Sequence, residues 1–169
     1  MDMIQEIYKH TLNREFSGRI VFLEDYGINV ARFLTQGVDI WLNTPRRPLE
    51  ASGTSGQKAA INGVPNFSVL DGWWEEGYNG KNGWTIGSSD KSFDNHEEQD
   101  KFDVNSLYNV LETEIIPLYY NRDNEGIPRN WLDVVRESIK STISYFSTRR
   151  MLKEYITRVY NPLQEENRN

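Results

Sequence analysis

The spacing of apolar positions changes along the chain, and each change predicts an element. Over residues 3–12, Met3, Ile4, Ile7, Tyr8 and Leu12 recur at helical intervals. Residues 19–23, RIVFL, form an apolar run between Gly18 and Glu24 and predict a buried strand. Helical spacing returns over residues 28–35, INVARFLT. Residues 38–42, VDIWL, predict a second buried strand, stopped by the segment holding Pro45 and Pro48. A short helix is predicted over 54–63, starting near Thr54 or Ser55 and ending at Gly63. Residues 67–70, FSVL, predict a third strand.

Strands alternating with helices at this spacing point to an α/β fold with a parallel sheet. About three strands are predicted, against the five or six of a complete doubly wound unit. The chain therefore reads as the later part of a larger domain. Residues 71–103, rich in Gly, Asn, Ser and Asp, read as a loop, with the acidic stretch DNHEEQDKFD as its solvated part. Beyond it the pattern is helical. Residues 105–120 carry Leu107, Val110, Leu111, Ile115 and Leu118. Residues 131–146 follow Pro128 with Leu132, Val135, Ile139 and Ile143. Residues 151–160 form a last helix, stopped by Pro162.

Composition narrows the chemistry. The 169 residues carry 19 bases and 25 acids, a net charge of −6. Both halves are equally acidic, so no basic footprint for nucleic acid is present. Zero cysteines exclude disulfides, thiolate nucleophiles and cysteine-ligated metals, and two histidines exclude a multi-histidine metal site. No metal site is expected. No apolar run is long enough to span a bilayer, and the opening MDMIQEIYKH lacks the apolar core of a secretory signal. A soluble, cytoplasmic protein with no membrane partner is the expectation.

The stretch EASGTSGQK, residues 50–58, places small residues between a strand and a helix. Backbone N–H groups there can point at an anion, with the helix dipole adding to the attraction. Spacing alone leaves two readings open, a phosphate-binding turn or a plain glycine-rich connection. A P-loop is excluded, because Gly53 and Gly56 stand too close and Ala59 follows Lys58. The glycines do not fit G-x-G-x-x-G either. Lys58 lies just inside the helix start, where a cation opposes the dipole. An ordinary exposed lysine and an amine that forms a Schiff base are both open readings.

The run EASGTSGQKAAINGVPNFSVLDGWWEEGYNGKNGWTIG resembles the pyridoxal-phosphate segment of the α-glucan (glycogen and maltodextrin) phosphorylases, in their shorter branch. The upstream FLEDYGINVARFLTQGVDIWLNTPRRP and the downstream GIPRNW and FSTRRMLKEY match in order, so the likeness runs from about residue 16 to residue 162. It implies a partial Rossmann-like parallel sheet, the C-terminal lobe of a two-lobed GT-B glycosyltransferase fold, followed by C-terminal helices. Residues 1–103 would hold the cofactor turn, and residues 104–169 a helical segment packed on it.

By the same resemblance, Lys58 matches the lysine that carries pyridoxal 5′-phosphate on its amine. Thr54 and Ser55 match the holders of the cofactor's phosphate, and Tyr26 matches a tyrosine near the cofactor. Glu50 matches the glutamate that hydrogen-bonds the transferred glucosyl unit, with Ser52 and Gly53 as backbone donors to that sugar. Gln57 departs from the family, which usually has a hydrophobic residue there. Retaining nucleotide-sugar transferases of similar architecture commonly show E-x(7)-E in this turn, the second Glu reading ribose. Lys58 occupies that second position, which disfavours a nucleotide-sugar donor.

The activity implied is phosphorolysis of terminal α-1,4-glucosyl units with retention, giving glucose 1-phosphate. The glucan, phosphate and an N-terminal lobe outside this chain are the implied partners. The family's phosphate-binding cations come largely from a basic segment with no counterpart here, so the isolated chain is expected to be inactive. The alternatives are a non-catalytic glucan-binding or assembly module and a fragment of a nucleotide-sugar glycosyltransferase. A truncated sheet also predicts exposed apolar surface and self-association.

Other candidates have plainer readings. Residues 121–126, NRDNEG, mimic the start of a calcium loop, but the twelfth position is Leu132, where calcium needs a bidentate Glu. A helix–helix connector is expected there. Trp73, Trp74 and Trp84 suit either sugar stacking or packing. His96 reads as a solvated loop histidine.

Overall fold

The structure is a computed structural model that describes residues 2–162. The chain divides into two compact units, one up to Phe33 and one from Leu34 onward.

The first unit opens with α1, Asp2–Thr11. Tyr8 meets Phe22 edge-on, with ring centroids 6.4 Å apart. The strand expected at residues 19–23 does not form. Ile20, Val21, Phe22 and Leu23 are all exposed, and the N–H groups of Arg19 and Ile20 turn back to Phe16 O. A strand needs a neighbour to take its backbone groups, and the described residues offer this run none. The local turn, with Gly18 at φ 75°, wins instead. Helix α2, Ile28–Gly37, contains the division between the units.

The second unit contains a three-stranded parallel sheet in the order β1 (Trp41–Asn43), β2 (Asn66–Val69), β3 (Gly83–Ile86). Helix α3, Thr54–Ile61, crosses from β1 to β2, and the short α4, Trp73–Gly77, leads from β2 to β3. All four residues of the central strand are buried, the polar Asn66 and Ser68 as well as Phe67 and Val69. The sheet is thus α/β with the predicted number of strands, but one of them was not foreseen. Strand β3 lies within NGWTIG, in the stretch expected to be loop.

The acidic part of that stretch is also not loop. Asn95 caps α5, His96–Val110, by accepting Glu98 N–H at 2.9 Å, while its own amide donates to Glu98 Oε1. Glu97 and Glu98 then sit in the first turn, where negative charge is favoured. Helix α5 continues through a π turn, Leu111–Ile115, into α6, Ile116–Tyr120. Helices α7, Arg129–Tyr145, and α8, Thr148–Tyr155, follow, and α8 runs on into a second π turn, Ile156–Tyr160.

Two apolar clusters hold the sheet. Phe67, Val69, Trp84, Ile86, Ile115 and Trp131 form one, with Trp84 stacked on Trp131 at 5.5 Å. Ala60, Trp73 and Trp74 form the other, with Phe146 edge-on to Trp73. Trp74 Nε1 donates to Trp84 O at 3.1 Å, so the buried indole is satisfied. The packing reading of Trp73, Trp74 and Trp84 therefore holds. Residues 121–128 connect α6 to α7 as expected, folded around Asp123, whose Oδ1 accepts the N–H groups of Glu125 and Ile127.

Candidate functional site

The chain leaves β1 at Asn43 and reaches α3 through residues 44–53. Gly53, at φ 79° and ψ 43°, supplies the left-handed turn into the helix, a conformation that glycine adopts without the steric cost of a side chain. No side chain caps α3, and its first turn holds no acid. The positive end of the helix therefore faces a cavity of about 480 Å³, lined by residues 50–56 with Trp41 and Asn43. This cavity lies at the carboxyl end of β1 beside a helix N-terminus, the place where parallel α/β sheets bind ligands.

The loop that lines it is held from behind. Asp71, buried at the end of β2, accepts Glu50 N–H at 2.8 Å and Gly72 N–H at 2.9 Å. Trp73 N–H donates to Ser52 O at 2.8 Å. Gly72 is at φ 55°, and a Cβ there would stand 2.7 Å from Ser52 O and 3.0 Å from Glu50 Cγ. The two loops thus touch backbone to backbone, and residues 71–73 fix residues 50–52.

Asn66 supports α3 from below. Its Nδ2 donates to Gly56 O at 3.0 Å, while its fully buried Oδ1 has no hydrogen-bond partner. A Cβ on Gly56 would lie 2.5 Å from that oxygen and 2.8 Å from Trp73 Nε1. Gly56 is therefore required for close packing rather than for its backbone angles.

The structure brings Glu50, Ser52, Gly53, Thr54 and Ser55 to one cavity. Lys58 does not line it. It is exposed on α3 four residues after the equally exposed Thr54, so the two share a helix face about 6 Å apart along the axis. Tyr26 is exposed in the first unit. Sequence reasoning missed Asp71 and Asn66. The signal for Asp71 was the DG pair closing FSVL, where a short carboxylate can hold nearby backbone N–H groups.

Among the described residues no lysine or arginine lines this cavity. Arg46 pairs with Asp100, and Arg47 pairs with Glu75 while also donating to Ser89 O. The hydrogen bond from Arg46 holds the Asp100 carboxyl below its usual range. A second cavity of about 680 Å³ opens beyond β2 and β3, between Arg47, Leu70, Lys91, His96 and Asp103. Burial, followed by the nearby Asp100 charge, pushes the Asp103 carboxyl up. His96 is exposed at the start of α5 rather than in a loop. Among the described residues no group of three or more His, Cys, Asp or Glu could hold a metal ion, and no helix is long and apolar enough to cross a membrane.

Comparison with known proteins gives a consistent result. The chain is 48% identical over 164 residues to the glycogen phosphorylase of Aquifex aeolicus, covering 97% of this chain and 23% of that protein. It is 50% identical over 161 residues to the maltodextrin phosphorylase of Thermococcus litoralis, covering 95% and 18% respectively. The glycogen phosphorylase of Mycobacterium bovis is 40% identical over 160 residues, again 95% of this chain and 18% of the relative. The chain thus spans about a fifth of the length of these relatives. No protein-family model and no solved structure matches it. Over nearly all of its length, then, the chain is homologous to a segment of the glycogen and maltodextrin phosphorylases, the proteins whose likeness EASGTSGQK carries.

Proposed function

We propose that the chain is the C-terminal portion of an α-glucan phosphorylase, a cytoplasmic glycosyltransferase that cleaves terminal α-1,4-glucosyl units with phosphate. In this reading it supplies part of the C-terminal lobe of a GT-B fold. Residues 1–103 hold the cofactor turn, and residues 104–169 close it with helices. The observation that carries the proposal is the 480 Å³ cavity at the uncapped start of α3, lined by the loop that begins at Glu50.

The residues present fit pyridoxal phosphate. Uncapped N–H groups and the Thr54 and Ser55 hydroxyls suit its phosphate, and an exposed lysine shares the Thr54 face. When bound, the cofactor would supply a phosphate group for acid–base chemistry beside the substrate phosphate. Lys58 would anchor it. Glu50 accepts hydrogen bonds from hydroxyls of the transferred glucose, and the Ser52 and Gly53 backbone donates to the same sugar. Asp71 keeps that loop in place for both. The protein's contribution is orientation and charge placement.

Cations are what this cavity lacks, and a reaction between two phosphate groups needs them. The remainder of the full-length protein supplies them, so residues 1–169 alone have negligible turnover. Glucose 1-phosphate released from maltodextrin by this chain, and lost in Lys58→Ala, would overturn that statement.

Cofactor capture is tested separately from turnover. The chain is incubated with pyridoxal phosphate, reduced with borohydride, digested and analysed by mass spectrometry. Label is expected on Lys58 and absent from Lys58→Ala. Label spread evenly over the surface lysines would remove the cofactor assignment. Saturable maltodextrin binding without specific label would favour a glucan-binding module. Calorimetric binding of UDP- or ADP-glucose, lost in Glu50→Ala, would favour a nucleotide-sugar transferase.

A further inference from the structure

The cavity of about 680 Å³ shares no lining residue with the one at the start of α3. Val69 and Leu70, at the end of β2, and Ser88, just past β3, place it at the carboxyl edge of the sheet, where parallel α/β folds take ligands. Its volume lies within the range of small-molecule sites, about 300–1,000 Å³. Two acceptors in it have nothing to accept. Gln99 is 8% exposed. Its Nε2 donates to Arg47 O at 3.3 Å, while its Oε1 accepts no hydrogen bond among the described residues. Asp103, one turn further along α5, is half-buried. Its carboxyl enters no hydrogen bond or ion pair among the described residues, and burial pushes it up. A Cβ on Gly87 would stand 2.3 Å from Asp103 Oδ1, so the glycine leaves the carboxyl its place.

The basic groups around the cavity are engaged elsewhere. Arg47 donates to Glu75 and to Ser89 O. The Lys91 amine lies 4.1 Å from the centroid of the Phe102 ring, and His96 lies near the Asp100 carboxylate. The start of α5 does not invite an anion either, because Asn95 caps it and Glu97 and Glu98 fill its first turn. The start of α3 differs on both counts. What the cavity offers is two open acceptors beside an apolar wall that includes Pro48 and Phe93. Phe93 is held against Phe102, with ring centroids 5.4 Å apart. A pyranose matches this combination. Its hydroxyls donate as well as accept, its C–H face is apolar, and it carries no charge.

We propose that this cavity is a second saccharide site, in which Gln99 Oε1 and the Asp103 carboxyl accept hydroxyls of a glucosyl unit and Phe93 meets its apolar face. The fit to a neutral, hydroxyl-rich ligand stands on the cavity alone; that the sugar belongs to an α-1,4-glucan rests on the phosphorylase reading. One short segment serves both sites. Arg47 and Pro48 line this cavity, and Glu50, two residues on, lines the other. A sugar bound here therefore rests on the segment that carries Glu50.

The test is titration of the isotope-labelled full chain with maltotriose, followed by NMR, with inorganic phosphate as the contrasting probe. Maltotriose should shift the Gln99 side-chain amide and the backbone amides of residues 88–92 in a saturable way, and phosphate should not. Asp103→Asn and Gln99→Leu should each weaken that response about tenfold, while the amide spectrum elsewhere shows that the fold is kept. Shifts confined to residues 50–56 would place the sugar in the other cavity and overturn the proposal. So would a response unaltered in both variants, or phosphate moving the same amides more strongly than maltotriose. If Lys58 takes the pyridoxal phosphate label while Gln99 stays silent, the second site falls and the phosphorylase reading stands. If Gln99 responds and Lys58 takes no label, the saccharide site stands and that reading falls.

Discussion

Asp71 Oδ2 accepts the backbone N–H of Glu50 at 2.8 Å, across 21 residues of sequence. The other oxygen accepts Gly72 N–H, so one buried carboxylate joins the end of β2 to the start of the candidate sugar loop. Asp71→Ala leaves both N–H groups without this acceptor and should cost roughly 1–3 kcal/mol. Asp71→Asn keeps one acceptor oxygen and should cost less. Urea denaturation measures the loss, and amide exchange at Glu50 and Gly72 reports whether it is local. Unchanged exchange at both amides would show that Asp71 does not hold the loop.

Gly56 and Gly37 make a controlled pair, because neither needs a positive φ. At Gly37 an added Cβ meets nothing within 4 Å, so Gly37→Ala should be neutral or stabilise by about 0.4–1 kcal/mol through the unfolded chain. At Gly56 the same methyl meets Asn66 Oδ1 at 2.5 Å and Trp73 Nε1 at 2.8 Å. The helix-propensity gain of about 1 kcal/mol is then outweighed by overpacking of about 1–3 kcal/mol. Thermal denaturation of the two variants side by side decides the matter. A Gly56→Ala protein as stable as wild type would mean that α3 can move off Asn66.

These two sites show which parts of the molecule were legible in the sequence. The turn at residues 50–55 was legible because helix starts and glycine turns are local, and the structure gathers five of its expected residues around one cavity. Asp71 and Asn66 act across the fold on residues far away in sequence, and no local pattern marks such partners. Strand β3 was hidden for a related reason. Trp84 and Ile86 are buried by α5, α7 and β2, while the flanking glycines and asparagines imitate a loop. At residues 19–23 the error ran the other way, since an apolar run makes a strand only where a neighbour exists to pair with it.

The charge of the α5 start imitates a loop, although its cap is a local signal. Asn95 followed three residues later by Glu98 marks a cap: Asn95 Oδ1 accepts Glu98 N–H, and the Asn95 side-chain amide donates to Glu98 Oε1. Asn95→Ala should therefore cost about 0.5–2 kcal/mol. Asn95→Asp should retain most of the stability, since a carboxylate also accepts Glu98 N–H. Chemical denaturation checks both. Equal losses in the two variants would mean that the asparagine amide donating to Glu98, rather than the cap itself, carries the effect.

The connector between α6 and α7 gives the chain a defined acid response. The N–H of Ile127 holds the Asp123 carboxyl below the usual carboxylate value of 3.8, helped by Arg129 and the N–H of Glu125. The value is lower in the folded state than in the unfolded one. Its contribution to stability is therefore complete above the unfolded value and lost as pH falls through the lowered folded value. Asp123→Asn keeps an acceptor oxygen but has no charge to lose. The wild type should be more stable than this variant at neutral pH, and the gap should close on acidification below about pH 4. Asp100, held down by Arg46, titrates in the same range and is unchanged in both proteins, so it cancels in the difference. Urea unfolding of the pair from pH 7 to pH 3 reads the gap directly. A gap that stays constant over that range would show that Asp123 stabilises the connector by shape alone.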